Sequence, residues 1–163
     1  MSSAEQLRFG ELCKEPAPGQ IWAAAPLGGV DERKRTISGL VVPWEQSARV
    51  NGADAPLQFA RSSILIDAGA RLLGFHDRSR PLGAPTEWKD TPAGLRASFK
   101  IARTTAGDEA LSMASDGILD GLSIGAELLD VQEQGGELVV TAALAREVSL
   151  VTLPAWAIAR VDT

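Results

Sequence analysis

The sequence predicts a β-dominated α+β fold, a small barrel or sandwich carrying one or two helices. Three observations predict it. Leu95, Ala97, Phe99 and Ile101 alternate with Arg96, Ser98 and Lys100, the period-2 pattern of a half-buried strand. Turn-forming clusters, Asp90-Thr91-Pro92-Ala93-Gly94 and Gln134-Gly135-Gly136, separate apolar runs as hairpin loops do. Only one stretch, beginning at Thr104 or Thr105 and reaching about Ser115, carries a capped helical pattern, and no internal repeat or low-complexity tract suggests another architecture.

In chain order, residues 1–34 are the least patterned and read as an N-terminal arm or extension, with residues 35–163 forming the main domain. Pro16, Pro18, Pro26 and Gly28-Gly29 punctuate one short apolar run, Gln20 to Ala25, which fits an edge strand. Thr36 to Trp44 is β-rich and carries a proline at its end. Arg71 to His76 is a short apolar run ending on the histidine. Pro85–Lys89 and Leu95–Ile101 form a hairpin around residues 90–94. In the helix, Ala106, Ala110, Met113 and Ala114 share a face, and Asp108 and Glu109 sit in the first turn, where the helix dipole favours acids. Leu122 to Val131 and Leu138 to Ala143 pair across Gln134-Gly135-Gly136. Val148 to Leu153 is a separate core strand stopped by Pro154, and Ala155 to Val161 is a short helix or extended tail.

Composition removes several function classes. At 163 residues, with 45% hydrophobic and 23% charged residues, the chain is long enough for one well-buried core. Its formal charge is −5 and its longest basic run is Arg33-Lys34-Arg35, so no nucleic-acid footprint is expected. Cys13 is the only cysteine, which rules out an internal disulfide and a multi-cysteine metal site. No metal and no cofactor are expected. The first residues lack the basic and apolar regions of a signal peptide, no stretch approaches a membrane span, and the expected location is the cytoplasm.

The only histidine is His76, in Gly74-Phe75-His76-Asp77-Arg78, so any imidazole chemistry at neutral pH has one candidate. Read alone, a single histidine is more often structural or exposed than catalytic. Ser123 lies between Gly121 and Gly125 in an apolar strand, and interior glycines weaken strands unless something approaches the backbone closely. A substrate or an oxyanion received by backbone N–H groups would be one reason, and a bulged or tightly packed strand another. The segment is not a nucleophile elbow, because Leu122 precedes the serine and no helix follows. Glu147 is a carboxylate in an apolar strand and needs a partner, either an arginine such as Arg146 or the His76 imidazole. Ser149 faces the same side as Glu147, as a supporting group or a rival nucleophile. Serine, histidine and carboxylate together make up the parts of a serine hydrolase.

Taken together and in order, Phe75-His76-Asp77, Pro81-Leu82-Gly83, Gly94-Leu95, Gly121-Leu122-Ser123-Ile124-Gly125, Glu147 to Ala155 and the closing Ala159-Arg160-Val161 resemble the maturation (prohead) proteases of tailed bacteriophages. The resemblance spans roughly Thr36 to Val161. It implies a small β-barrel with surrounding helices, similar to the herpesvirus assembly proteases, with Ser123 as nucleophile and His76 as general base. The third member in the herpesvirus relatives is a second histidine, which this chain lacks. Glu147 is therefore the candidate for orienting the imidazole, ahead of Asp77, whose side chain should point away from that of its neighbour His76. Arg146 and Arg160 are both candidates to assist at the oxyanion.

The implied activity is a serine endopeptidase acting on phage scaffold and major capsid protein inside the assembling prohead in the host cytoplasm, with self-association left open. The rival is a non-catalytic scaffold or decoration module of the capsid that keeps the protease fold.

Overall fold

The computed structural model describes residue 16 and residues 18–152 of the chain. The described residues hold nine strands and one helix: β1 (Gln20–Asp31), β2 (Thr36–Pro43), β3 (Leu57–Phe59), β4 (Ile64–Ile66), β5 (Leu72–Gly74), β6 (Asp77–Asp90), β7 (Gly94–Ile101), α1 (Thr105–Ser115), β8 (Gly121–Gln134) and β9 (Glu137–Val151). The predicted strand dominance holds, and α1 is the only helix among the described residues. The expected closing segment Ala155 to Val161 lies outside them, as do Cys13 and Arg160.

Pairing runs β3-β9-β5-β6-β7-β2-β1-β8, and β8 also pairs with β9. The local pattern decides which face each strand buries. Leu95, Ala97, Phe99 and Ile101 are all buried, as their alternation requires. The turn between β6 and β7 is closed by reciprocal backbone bonds between Thr91 and Gly94. Thr104 caps α1 by accepting the Gly107 N–H at 3.0 Å. The buried face of α1 is Gly107, Ala110, Leu111 and Ala114; Ala106 and Met113 are exposed. The packed stripe is thus rotated from the one the alanines suggest, because Leu111 contributes more apolar area than Ala106.

Two elements differ from expectation in ways that matter for function. The run at Gln20 is the first half of a longer strand. β1 is twelve residues long, pairing with β8 over Gln20–Pro26 and with β2 over Leu27–Asp31. The expected strands Leu138 to Ala143 and Val148 onward are not separate: β9 is one strand of fifteen residues, bonded antiparallel to β8 along nearly its whole length. It also receives β3, β4 and β5 in parallel. The core lies against one face of this β1-β8-β9 surface, where Ile21, Ala23, Leu122, Ile124, Ala126, Ala145, Val148 and Leu150 are all buried.

Candidate active site

The opposite face of β8 and β9 carries the candidate site. Ser123 is opposite Ser149, and Gly125 is opposite Glu147, so these four residues share one face. Leu122, Ile124, Val148 and Leu150 point the other way into the core. Ser123 is itself 3% exposed, reached only from the site side of the sheet.

Glu147 reaches that face because β9 contains a bulge. Along β8 the register steps by one residue from Gly125 to Ala126, while along β9 it steps by two, from Glu147 to Ala145, leaving Arg146 without a cross-strand partner. Ala143 and Ala145 are core residues, and strict alternation would send Glu147 into the core after them. The extra residue reverses the parity. Val148 and Leu150 become core residues, and Glu147 and Ser149 turn to the site. Arg146 is held outside by Asp67, whose Oδ2 accepts its Nη1–H at 2.7 Å, and by Glu127 at 3.5 Å. Arg146 is thus an ion-pair partner of Asp67 and Glu127, not of Glu147. The Asp67 carboxyl is held below the usual carboxylate range, first by the Gly69 backbone N–H and then by the Arg146 guanidinium.

His76 arrives from a different element. The pairing of Gly74 with Asp77 leaves a two-residue connection between β5 and β6, Phe75-His76, with φ of 53° and 57°. Both central residues are left-handed, as in the tight hairpin turns that favour Asn-Gly, so this Phe-His pair is strained. β9 holds it in place: the Phe75 N–H donates to the Leu150 carbonyl at 3.2 Å, and the His76 N–H donates to Ser149 Oγ at 2.9 Å. His76 is therefore a turn residue rather than the last residue of a strand. Asp77 opens β6 and accepts the Ser79 N–H and hydroxyl, at 2.9 and 2.6 Å.

The side chains meet in one chain of hydrogen bonds. His76 Nδ1 bonds Glu147 Oε1, and His76 Nε2 lies 2.7 Å from Ser123 Oγ. Ser149 Oγ donates to the other carboxylate oxygen of Glu147 at 2.9 Å. An ionised carboxylate only accepts, so Nδ1 carries the proton and Nε2 presents its lone pair to the Ser123 hydroxyl. That is the tautomer a general base needs. The imidazole is 6% exposed and the Glu147 side chain 16%, so both lie largely out of bulk water. Trp22 of β1 lies flat on the imidazole, with ring centroids 4.3 Å apart and planes within 4°.

The residues singled out from sequence thus divide clearly. Ser123, His76 and Glu147 come together, Ser149 supports them, and Asp77 and Arg146 are engaged elsewhere. Trp22 was missed. Its only sequence signal is alternation, since buried Ile21 and Ala23 put it on the opposite face, and alternation does not name its partner. Among the described residues there is no group of three or more His, Cys, Asp or Glu able to hold a metal ion, and no helix is long and apolar enough to cross a membrane.

A serine, a histidine and a carboxylate hydrogen-bonded in this sequence define a site of the serine-hydrolase type. The family model of the caudovirus prohead serine proteases matches residues 28–163, and the chain belongs to that family, the serine peptidases of phage head maturation. No curated protein and no solved structure matches the chain.

Proposed function

We propose that the protein is a serine endopeptidase that cleaves segments of the scaffold and major capsid protein inside the assembling prohead, in the host cytoplasm, with Ser123, His76 and Glu147 as its catalytic residues. The observation that carries this reading is the 2.7 Å contact between Ser123 Oγ and His76 Nε2, made by an imidazole whose Nδ1 is bonded to Glu147.

The chemistry follows from the hydrogen-bond directions. Ser123 Oγ attacks the scissile carbonyl carbon as its proton passes to His76 Nε2. Glu147 stabilises the resulting imidazolium and keeps the ring from turning over. The imidazolium then gives its proton to the leaving amine nitrogen, the C–N bond breaks, and an acyl ester remains on Ser123. Water repeats the sequence: Nε2 takes its proton, the oxygen attacks the ester, and the proton returns to Ser123 Oγ as the acid leaves. His76, as the only histidine, serves both transfers.

For the architecture, we propose the small barrel of the herpesvirus-like assembly proteases. The pairing path from β9 through β5, β6, β7, β2 and β1 to β8, with β8 paired again to β9, supports this reading.

The deciding experiment incubates purified wild type and Ser123→Ala with the precursor capsid protein and follows cleavage by mass spectrometry. Cleavage by the wild type and none by a folded Ser123→Ala protein is the expected result. No cleavage by either supports the rival reading of a non-catalytic capsid module, and equal cleavage by both removes Ser123 from the mechanism.

A further inference from the structure

The imidazole of His76 is tied at its two nitrogens, yet neither bond fixes the ring against motion out of its own plane. The strained Phe75-His76 turn leaves Phe75 half-exposed, and rotation of an imidazole about its last side-chain torsion is intrinsically broad. The remaining constraint is a face contact, and Trp22 supplies it.

Trp22 is rigidly mounted for this task. Its backbone N–H and carbonyl both bond Asn51, at 3.1 and 3.3 Å, on the side away from β8. The neighbouring side chains of Ile21 and Ala23 are locked in the core, which forces the indole onto the site face. Across the ladder Trp22 is opposite Gly125, which is opposite Glu147. Because the central position of this row has no side chain, the indole and the carboxylate can reach the imidazole from either side. Trp22 also precedes residues 28–163, the region matched by the family, so this contact comes from outside the matched part of the chain.

We infer that Trp22 is a positioning residue for the general base: its indole clamps the plane of the His76 ring so that Nδ1 meets Glu147 while Nε2 meets Ser123, and its π face stabilises the imidazolium formed during catalysis. The inference rests on the proposed protease reading. An aromatic face within about 6 Å of a cation attracts it, more strongly when both are shielded from water. The clamp acts through His76 and not on the substrate, so its loss lowers turnover rather than substrate affinity.

Two measurements on the full chain test this. Cleavage kinetics are compared for wild type, Trp22→Phe and Trp22→Leu, with folding checked by circular dichroism. Trp22→Leu should lower kcat by about tenfold to a hundredfold, the scale of a slightly misplaced reacting group, with KM unchanged, and Trp22→Phe should recover most of it by keeping a flat π face. Separately, tryptophan emission is compared at one fixed pH in Ser123→Ala and in the same protein with His76→Ala added. The His76 ring covers one face of the Trp22 indole, so removing it should change the emission. That change should vanish when Trp22→Phe is already present. The emission readout needs no protease activity, so a failed clamp and a failed protease assignment give different results. A folded Trp22→Leu protein with wild-type kcat, or emission that His76→Ala leaves unchanged, overturns the inference. Cleavage retained by Ser123→Ala would overturn the proposed function while leaving the emission change in place.

Discussion

The carboxylate of Glu147 occupies the space that a side chain at Gly125 would need. A Cβ built on Gly125 collides with Glu147 Oε1 and comes within 2.8 Å of its Cδ. The glycine in β8 is thus explained by a close approach, as an interior strand glycine should be, and what approaches is the Glu147 carboxylate. Gly125→Ala should displace Glu147 and lower kcat about as much as Glu147→Ala does. The double variant should be no worse than either single change, because both disrupt one interaction. Steady-state kinetics on the three proteins checks this, and wild-type kcat in Gly125→Ala contradicts it.

Glu147→Gln separates an orienting role from a structural one. The glutamine can still accept from Ser149 through its carbonyl, so melting temperature should fall only modestly. Its amide nitrogen or uncharged oxygen facing Nδ1 no longer stabilises the imidazolium or enforces the Nδ1–H tautomer, and turnover should fall by about 10²- to 10⁴-fold. Melting temperature and kcat measured on one preparation decide the matter. A sharply lowered melting temperature with near-normal turnover would mean that Glu147 only holds β9.

How much of this was legible in the sequence depended on whether a residue acts within its own element or across several. The β6–β7 hairpin and the cap at Thr104 are local: alternation, turn residues and a hydroxyl three residues before an unpaired N–H specify them directly. Ser123, His76 and Glu147 were selected by residue type and by motif order. Their contact depends on three separated segments and could not be computed from spacing. The bulge at Arg146 was hidden because it breaks the very alternation used to find strands. Ala145 and Val148, three apart, both face the core, so the run read as two separate strands. The β1 strand was shortened for a similar reason: Pro26 and Gly28-Gly29 look like breakers, yet β1 changes partners there, with a register shift between Leu27 and Gly29. Trp22 could not be linked to His76 at all, since the 53 intervening positions carry no pattern joining them.

Ser149 distinguishes a support from a second nucleophile. Its hydroxyl accepts from the His76 backbone N–H and donates its proton to Glu147, not to the imidazole, and the residue is fully buried. Ser149→Ala leaves a partly buried N–H and a carboxylate oxygen each short of a partner, at a cost of about 1–3 kcal/mol. The strained turn should loosen and kcat should fall, yet cleavage should remain measurable where Ser123→Ala has none. Chemical denaturation and a cleavage assay on the two variants check both parts. Abolished cleavage in Ser149→Ala beside retained cleavage in Ser123→Ala would reverse their roles.

The staple that holds the bulge should give the protein an acid-sensitive component traceable to one residue. Asp67 sits in the connection between β4 and β5, which pair with β9 on either side of Arg146, and it accepts from both the Gly69 N–H and the Arg146 guanidinium. Its folded-state pKa is depressed, chiefly by the Gly69 N–H, so its stabilising contribution is fully present above the unfolded carboxylate value of about 3.9. That contribution is lost as pH falls through the lower folded value. Asp67→Asn cannot ionise and lacks the contribution at every pH. The melting temperatures of wild type and Asp67→Asn should therefore differ at neutral pH and converge on acidification below about pH 4. A slackened bulge also lets Glu147 drift from Nδ1, so at neutral pH Asp67→Asn should lower kcat without changing KM. A gap in melting temperature that is constant from neutral to acid pH would show that the Asp67 charge does not contribute to holding the bulge.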